Sequence, residues 1–293
     1  MNTKWDRQGG SMTTMISENS EIKETENTIA DKKKREKIMT WRIVAAAHEA
    51  RLNIFDPTRR PVPDKKIKKI ETSWGKIERL APFGAGQGHA DLLDAILFCS
   101  EKKVFESNGR RLKLLVDPAR VRKVANITSG QQFKDISFEI QSIVIGIAEP
   151  KEYWSIGHLI DSVAPAKKKD GTLLKRENPF KHGEERGLWR VEVGQTLLTL
   201  MGEDILRTYD PAQISRLDFG ISQAVARLLL SHNGEEPNGG WTLDGLIRAV
   251  AGRLDRFSMK HRRHEIRADG EKLLEIGFRV DGERIHKVKI IDI

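Results

Sequence analysis

Three groups of residues in this chain have the types and spacing to do chemistry. The first is a glycine run, Gly84, Gly86 and Gly88 in PFGAGQGHADLLDAIL (82–97), just ahead of an apolar helix. Amides at a helix start bind phosphate, so the run raises a nucleotide site. A dinucleotide fingerprint needs Gly-x-Gly-x-x-Gly between a buried strand and a helix. Here the spacing is Gly-x-Gly-x-Gly, the preceding segment carries Lys76, Glu78 and Arg79, and no Gly-Lys-Ser/Thr occurs. The glycines read as a joint between strand and helix, and Gly86→Ala is expected to move stability by only about 0.5–1 kcal/mol unless its φ is positive. The second group is His261, His264 and Glu265, in the order His-x-x-His-Glu. A zincin needs His-Glu-x-x-His, and Lys260, Arg262 and Arg263 around these histidines would repel a metal ion. A nick-and-rejoin enzyme would need a tyrosine nucleophile and a His-x-His pair; the chain has Tyr153 and Tyr209 and no His-x-His. The expectation is a protein that is not an enzyme and uses no cofactor or metal.

The third group is basic. In SMKHRRHEIRADGEKLLEIGF (258–278), Met259, Ile266 and Leu273 share one helical face. Lys260, Arg263, His264 and Arg267 follow i, i+3, i+4, i+7 and form a stripe beside it, with His261 and Arg262 on the same helix and Glu265 and Asp269 toward the other flank. Such a ridge is either a solvated helix with local ion pairs or a reader of the major groove, where arginine pairs bidentately with guanine. Arg263 and Arg267 are the expected base readers, each worth roughly tenfold in affinity or more. A basic hairpin follows, with Arg284, His286, Lys287 and Lys289. In the first half, Gln131, Gln132 and Lys134 open a helix and suit either adenine pairing or plain surface. Lys167, Lys168, Lys169, Lys175, Arg176, Lys181 and Arg186 lie in a long polar loop that suits phosphate contact.

The elements that position these residues alternate between helix and strand. ADLLDAILFCSEKK predicts an amphipathic helix with Leu92, Leu93, Ile96 and Leu97 inward. RRLKLLVD reads as a strand. DPARVRKVANI starts a helix, with Asp117 as N-cap and Pro118 in the first position. After Thr128-Ser129-Gly130, QQFKDISFEIQSIVIGI aligns Phe133, Ile136, Ile140 and Ile143 on a helical face. EYWSIGHLIDSVAP and GLWRVEVGQTLLTL read as two strands around the long loop. The second half repeats the plan. A short strand, DILRTYD, precedes a helix with Ile221, Val225 and Leu228 aligned. Next come a helix capped by Thr242 with Leu243, Leu246, Ile247 and Val250 inward, the basic helix, and a hairpin turning at Asp281-Gly282. Residues 1–30 read as a disordered tail. A helix is expected from about Ala30, with Trp41, Val44 and Ala45 at helical spacing and Lys32–Arg35 touching DNA or merely solvated. DPTRRPVPDKKIKKIE (56–71) reads as a basic linker.

Composition sets the frame. The 293 residues carry a net charge of +9, which favours a polyanionic partner. No apolar run is long enough to span a bilayer, and the start lacks a secretory pattern. Cys99 is the single cysteine and is expected to pack in a core, which suits a reducing, cytoplasmic setting. The expected fold is α+β: a tail and linker over 1–73, then two tandem winged-helix domains, 74–202 and 203–293.

The run ISRLDFGISQAVARLLLSHNGEEPNGGWTLDGLIRAVAGR, followed by KHRRHEIRADGEKLLEIGFRV, resembles theta-type plasmid replication initiators of broad-host-range plasmids. The matching positions are Leu217, Ala226, Arg227, Leu243, Asp244, Leu246, Leu274 and Gly277. The resemblance is good over about 205–282, looser over 75–200 and absent over 1–70. It implies tandem winged helices that bind direct repeats (iterons) in double-stranded origin DNA, open nearby AT-rich DNA and recruit the host initiator and helicase. It also implies that no nucleotide is needed; a homodimer is a further expected partner, and a membrane is not. Two other functions compete. A winged-helix transcriptional regulator would more often carry one reading unit, and a nuclease would need a carboxylate cluster that the sequence does not display.

Overall fold

A computed structural model describes residues 45–106, 111–148, 153–177, 183–203, 206–232 and 236–288. The expected tail, the basic run Lys32–Arg35, most of the helix expected from Ala30, and Lys181 and Lys289 lie outside the described residues.

β1 (Ala45–Ala46) and α1 (Ala47–Arg51) lead into buried Leu52, Ile54 and Phe55. β2 (Lys68–Thr72) and β3 (Gly75–Leu80) form a hairpin in register Thr72↔Gly75. α2 (Gln87–Phe98) follows, then β4 (Ser100–Glu106) and β5 (Arg111–Val116). α3 (Pro118–Val124) and α4 (Gly130–Gln141) start as their caps predict. The Asp117 carboxylate accepts from the Ala119 amide at 2.9 Å, and the Ser129 hydroxyl accepts from the Gln132 amide at 3.0 Å. β6 (Val144–Ala148), β7 (Tyr153–His158), β8 (Ile160–Pro165), β9 (Lys175–Glu177), β10 (Glu185–Gly187) and β11 (Trp189–Val193) complete the strands of the first half. α5 (Gln195–Glu203) and β12 (Leu206–Arg207) connect the halves. The second half holds α6 (Pro211–Ser215), α7 (Gly220–Ser231), β13 (Trp241–Thr242), α8 (Leu243–Ala251), α9 (Arg256–Ala268), α10 (Gly270–Glu275), β14 (Phe278–Asp281) and β15 (Arg284–Lys287).

The architecture is mixed α+β with small antiparallel sheets. Their orders are β2-β3-β6-β7, β4-β5-β11-β8, β13-β15-β14, β9-β10 and β1-β12. In each half a strand precedes a helix pair and is flanked by the second strand of a later pair: β5-β11-β8 around α3 and α4, and β13-β15-β14 around α8 and α9. The apolar positions expected in the second half are buried: Ile221, Val225, Leu228, Leu243, Leu246, Ile247, Val250, Met259, Ile266 and Leu273 form one core with Phe278 and Ile285. Cys99 is buried, and burial pushes its thiol up to about 11. No helix among the described residues is long and apolar enough to cross a membrane.

Several elements differ from the sequence expectation. The helix expected to run to Lys103 stops at Phe98, and β4 follows, with the Ser100 hydroxyl donating to the Leu97 carbonyl at 2.8 Å. The helix expected through Ile147 ends at Gln141, and the β-branched run VIGIA becomes β6. EYWSIGHLIDSVAP is two strands, β7 and β8, which break at Leu159 and join different sheets. GLWRVEVGQTLLTL holds a strand and then α5. The long basic helix is two, broken at Asp269. That carboxylate is buried and accepts from the amides of Asp218 (2.9 Å) and Phe219 (3.1 Å), at the start of α7.

The segment read as a linker is a structural strap. Arg79 on β3 is fully buried and holds it. Its guanidinium donates to Asp64 (2.9 and 3.2 Å), Asp56 (2.8 Å) and the Ile54 carbonyl (2.7 Å). β3 is therefore an interior strand, although an antiparallel one. The strap covers the glycine run. The Gln87 amide donates to the Thr58 carbonyl at 2.8 Å, and the Asp56 amide donates to the Ala85 carbonyl at 2.7 Å. A β-carbon on Gly86 would lie 2.5 Å from the Thr58 carbonyl oxygen and 2.8 Å from Pro61. A β-carbon on Gly220, at the start of α7, would meet the backbone of Thr58 at 2.7 Å. The glycines thus let one strap touch two helix starts.

Below the strap, α2 and α7 meet through a buried polar network. Gln87, Asp91 and Asp94 lie at i, i+4 and i+7 on α2; Gln223 and Arg227 lie at i and i+4 on α7. The Arg227 guanidinium donates to Asp94 (3.0 and 2.8 Å), Asp91 (2.7 Å) and the Gln87 side-chain oxygen (2.7 Å). Gln223 donates to Asp91 at 3.1 Å and Tyr209 to Asp94 at 3.0 Å. Burial pushes the Asp94 carboxyl up to about 6, with Arg227 pulling the other way and Asp91 adding to the rise.

Two expectations follow. Gly86→Ala drives a β-carbon into backbone and should destabilise the fold by roughly 1–3 kcal/mol in urea unfolding, more than its φ of −121° alone implies. Gly88→Ala is the matched control: its nearest contact would be 3.8 Å away, and in a helix it should stabilise by roughly 0.5–1 kcal/mol. Equal effects would mean that the strap does not seat on the glycine run. The second expectation concerns pH. The folded chain holds the Asp94 proton more tightly than the unfolded chain, so the linked stability is full below about pH 4 and is lost as pH rises through about 6. The urea midpoint of the parent, measured relative to Asp94→Asn, should fall between pH 4 and pH 7. A difference that rises over that range would show that Arg227 keeps Asp94 ionised throughout.

Candidate nucleic-acid interface

α9 is set by its cap and by its neighbours. The Asp255 carboxylate accepts from the amides of Phe257 (2.8 Å) and Ser258 (2.9 Å) and from the Ser258 hydroxyl (2.6 Å), which holds it below the usual carboxylate range. Lys260, His261, His264 and Arg267 are exposed, and Arg262 and Arg263 are half-buried. The stripe is not uniformly free. The Arg263 guanidinium forks onto Asp244 at the start of α8 (2.6 and 2.7 Å), with Glu283 at 3.6 Å. That hydrogen-bonded fork holds the Asp244 carboxyl down. Arg267 donates to Glu283 and to the Gly282 carbonyl (3.2 Å), in the turn between β14 and β15. Arg262 pairs with Glu265 at 2.8 Å, and His261 lies 3.4 Å from the same carboxylate. The two residues expected on an outer flank, Glu265 and Asp269, are buried. Glu265 is held by Arg262 and His261 of its own helix, whereas the partners of Asp269, the amides of Asp218 and Phe219, are distant in sequence and one helix's periodicity does not reveal them. Among the described residues, no carboxylate pairs with Lys260 or His264.

The hairpin is anchored. Arg284 donates to the carbonyls of Gly239 (2.7 Å) and Gly240 (3.1 Å). Glu236 accepts from the Lys287 amide at 2.9 Å and lies 2.7 Å from His286; the amide bond is the main reason its carboxyl sits low. The Lys287 side chain is exposed.

In the first half, α4 is fixed from below. Phe133 packs on Trp189 with ring centroids 5.1 Å apart, and Glu139 lies 3.0 Å from His89 on α2. Its outer side carries Gln131, Gln132 and Lys134, all exposed. Gln131 donates to Asp135 at 2.7 Å, and Gln132 accepts from the Thr128 amide at 3.3 Å. Lys167, Lys168 and Lys169 are exposed in a tight turn, where the Lys168 amide donates to the Thr172 carbonyl (2.8 Å) and the Gly171 amide to the Lys168 carbonyl (3.1 Å). None of the three pairs with a carboxylate among the described residues. The other loop cations serve structure as well. Lys175 pairs with Glu185 (3.3 Å) across the β9–β10 ribbon, Arg176 pairs with Glu101 on β4, and Arg186 pairs with Asp117 (2.8 Å) at the α3 cap.

Sequence reasoning missed one mixed-charge pocket, which also holds Glu101, Asp117 and Asp210. Arg120, Lys123, Arg176, Arg186 and Arg216 line a cavity of about 470 Å³ where α3, the ribbon and α6 meet. Nothing in the sequence brings Arg216 next to Arg120; only the packing of α6 does.

The Arg263–Asp244 fork predicts a coupled loss. Arg263→Ala and Asp244→Ala should each lower the melting temperature, and the double variant should lose less than the sum of the two. Strict additivity would mean that the fork contributes nothing to holding α9 against α8.

No family model and no curated protein matches the chain. Among solved structures, one crystal structure, of selenomethionine derivatives of domains 2 and 3 of RctB, matches at 15% identity over 78% of this chain and 86% of that chain, with a TM-score of 0.46.

Proposed function

We propose that the chain is a sequence-specific binder of double-stranded DNA, made of two winged-helix units over about 74–202 and 203–293, that acts as a replication initiator at direct repeats. The observation that carries this reading is a repeated topology. Each half has a strand, a helix pair whose second helix carries exposed polar or basic residues, and two later strands. Their connection carries exposed lysines in the first half (Lys167, Lys168 and Lys169) and in the second is a Gly282-Glu283 turn followed by the exposed Arg284 and Lys287 on β15. Leaving aside the extra edge strand β4, the strand orders β5-β11-β8 and β13-β15-β14 correspond in the two halves. α4 and α9 are then the groove-reading helices, and the lysine turn at 167–169 and the β14–β15 turn are the wings. The initiator reading adds the resemblance over about 205–282 and the presence of two readers in one chain. Opening of AT-rich DNA, recruitment of a host initiator and helicase, and homodimer formation belong to this proposal. So does the absence of a catalytic step; the Gln87 amide that a phosphate at the glycine run would need is already bonded to Thr58.

Footprinting on the DNA flanking the coding region tests it. The chain should protect direct repeats of roughly 20 base pairs, about two helical turns, one for each reader. Protection should be equal with nucleotide, without it and in chelator. A single short site would favour a regulator, and cleavage in magnesium would favour a nuclease. The wing adds a quantitative expectation. Replacing Lys167, Lys168 and Lys169 by alanine should weaken binding to all duplexes alike and reduce the salt slope by roughly 0.9 per lost phosphate contact. A changed sequence preference with an unchanged slope would move these lysines from phosphates to bases.

A further inference from the structure

Phe257 is the most exposed large apolar side chain among the described residues, at 81%. A lone exposed hydrophobic residue is ordinary on a protein surface. The place of this one is not. It stands in the first turn of α9, and Phe257, Lys260, His261 and His264 follow i, i+3, i+4 and i+7, so they share one helical face. All four are exposed. The neighbouring face, with Arg263 and Arg267, is tied to Asp244 and Glu283. The face that α9 leaves open is therefore turned one step from the stripe expected from sequence, and an aromatic ring heads it. The helix start cannot sag to bury the ring, because Asp255 already binds the amides of Phe257 and Ser258.

The surroundings choose the occupant. Arg253, Arg256, Lys260 and His261 lie near the ring in sequence or on its face, and all are exposed. A second copy presenting the same face would bring cation against cation. A polyanion with an apolar group in its groove matches both features. In the major groove the exposed apolar group of the base edges is the C5-methyl of thymine, and phenylalanine is among the side chains that contact it.

Resting on the DNA-binding reading, we propose that Phe257 forms a subsite for the 5-methyl group of a thymine, and that Phe257, Lys260, His261 and His264 make up the reading face of α9. The ring supplies base preference, and Lys260 and His264 supply polar contacts on either side of it.

The test uses the full chain. A duplex is selected from a random library, and each thymine of the selected site is then replaced singly by deoxyuridine, which removes the methyl group alone. Affinities are measured for the parent, Phe257→Ala and Phe257→Leu. At one position the parent should lose about fourfold on methyl removal, the worth of one buried methylene. Phe257→Ala should not distinguish the two bases there, and Phe257→Leu should still do so. Melting temperatures should be unchanged, since the ring is exposed. The proposal is overturned if the parent shows no thymine preference anywhere, or if Phe257→Ala keeps the same preference at every position. It is also overturned if Phe257→Ala abolishes self-association while leaving base preference intact, which would assign the ring to a second copy. Failure to select any duplex would instead bring down the DNA-binding reading, and this inference with it.

Discussion

The Arg227 guanidinium, buried between α2 and α7, is the constraint around which the molecule is arranged. A charge out of water is costly, and it persists only where partners answer it on every side. Asp91 and Asp94 supply charge, Gln87 a neutral acceptor, and Gln223 and Tyr209 satisfy the remaining carboxylate lone pairs. Apart from Tyr209, which reaches Asp94 from the segment between β12 and α6, the donors and acceptors lie on the facing sides of two helices, one from each half. Sliding either helix by one turn would break every bond at once. An apolar interface would tolerate such a slip better, because dispersion contacts are not directional. The network therefore fixes the register of the two halves, and with it the separation of α4 and α9. Under the proposed reading of two successive stretches of one duplex, that separation would be a functional dimension.

A second buried arginine extends the same logic. Arg79 gathers Asp56 and Asp64 from a proline- and lysine-rich segment that has little apolar surface to bury. The strap then lies across the starts of both central helices, and Arg59 from it donates to the carbonyls of Ser215 (2.8 Å) and Leu217 beyond α6. Asp269 completes the arrangement by capping the start of α7 from the end of α9. Three polar ties, each from a different part of the chain, converge on the helix pair at the centre.

This arrangement explains which parts of the fold are legible in the sequence. Caps are local, so Asp117-Pro118 and Thr242 mark their helices correctly, and the Asp281-Gly282 turn marks its hairpin. Apolar periodicity is local too, and it finds the core faces of α7, α8 and α9. The reading of 56–71 as a linker rests on its prolines and lysines, which do break regular structure over most of it; the segment is nevertheless held in place by charge, through an arginine on β3. Arg227 sat in plain view as a matching position of the resemblance, and Gln87, Asp91 and Asp94 have a clear helical spacing. Yet neither set is meaningful without the other, and more than 130 residues separate them. Likewise α9's own sequence sorts its charges into two flanks, but Asp244 and Glu283 decide which arginines are free.

The same burial changes how the net charge should be read. Among the described residues, Glu49, Asp91, Asp94, Asp117, Glu265 and Asp269 are buried, against Arg51, Arg79 and Arg227. Among the described residues the interior thus holds more carboxylates than guanidiniums, although Asp117 and Glu265 answer the half-buried cations Arg186 and Arg262. Long-range attraction of a polyanion depends on the summed charge, buried groups included, and is screened over about 8 Å at physiological salt; where burial acts is on the local pattern of the surface. Paired cations such as Arg263 and Arg267 add little to such a field while their carboxylates stay in place. Cations with no carboxylate partner among the described residues, such as Lys260 on α9, Lys134 on α4 and the lysine turn at 167–169, contribute more. Under the proposed DNA-binding reading, affinity and register fall to different residues: free surface lysines would draw the duplex in, and buried arginines would hold α4 and α9 at a fixed spacing.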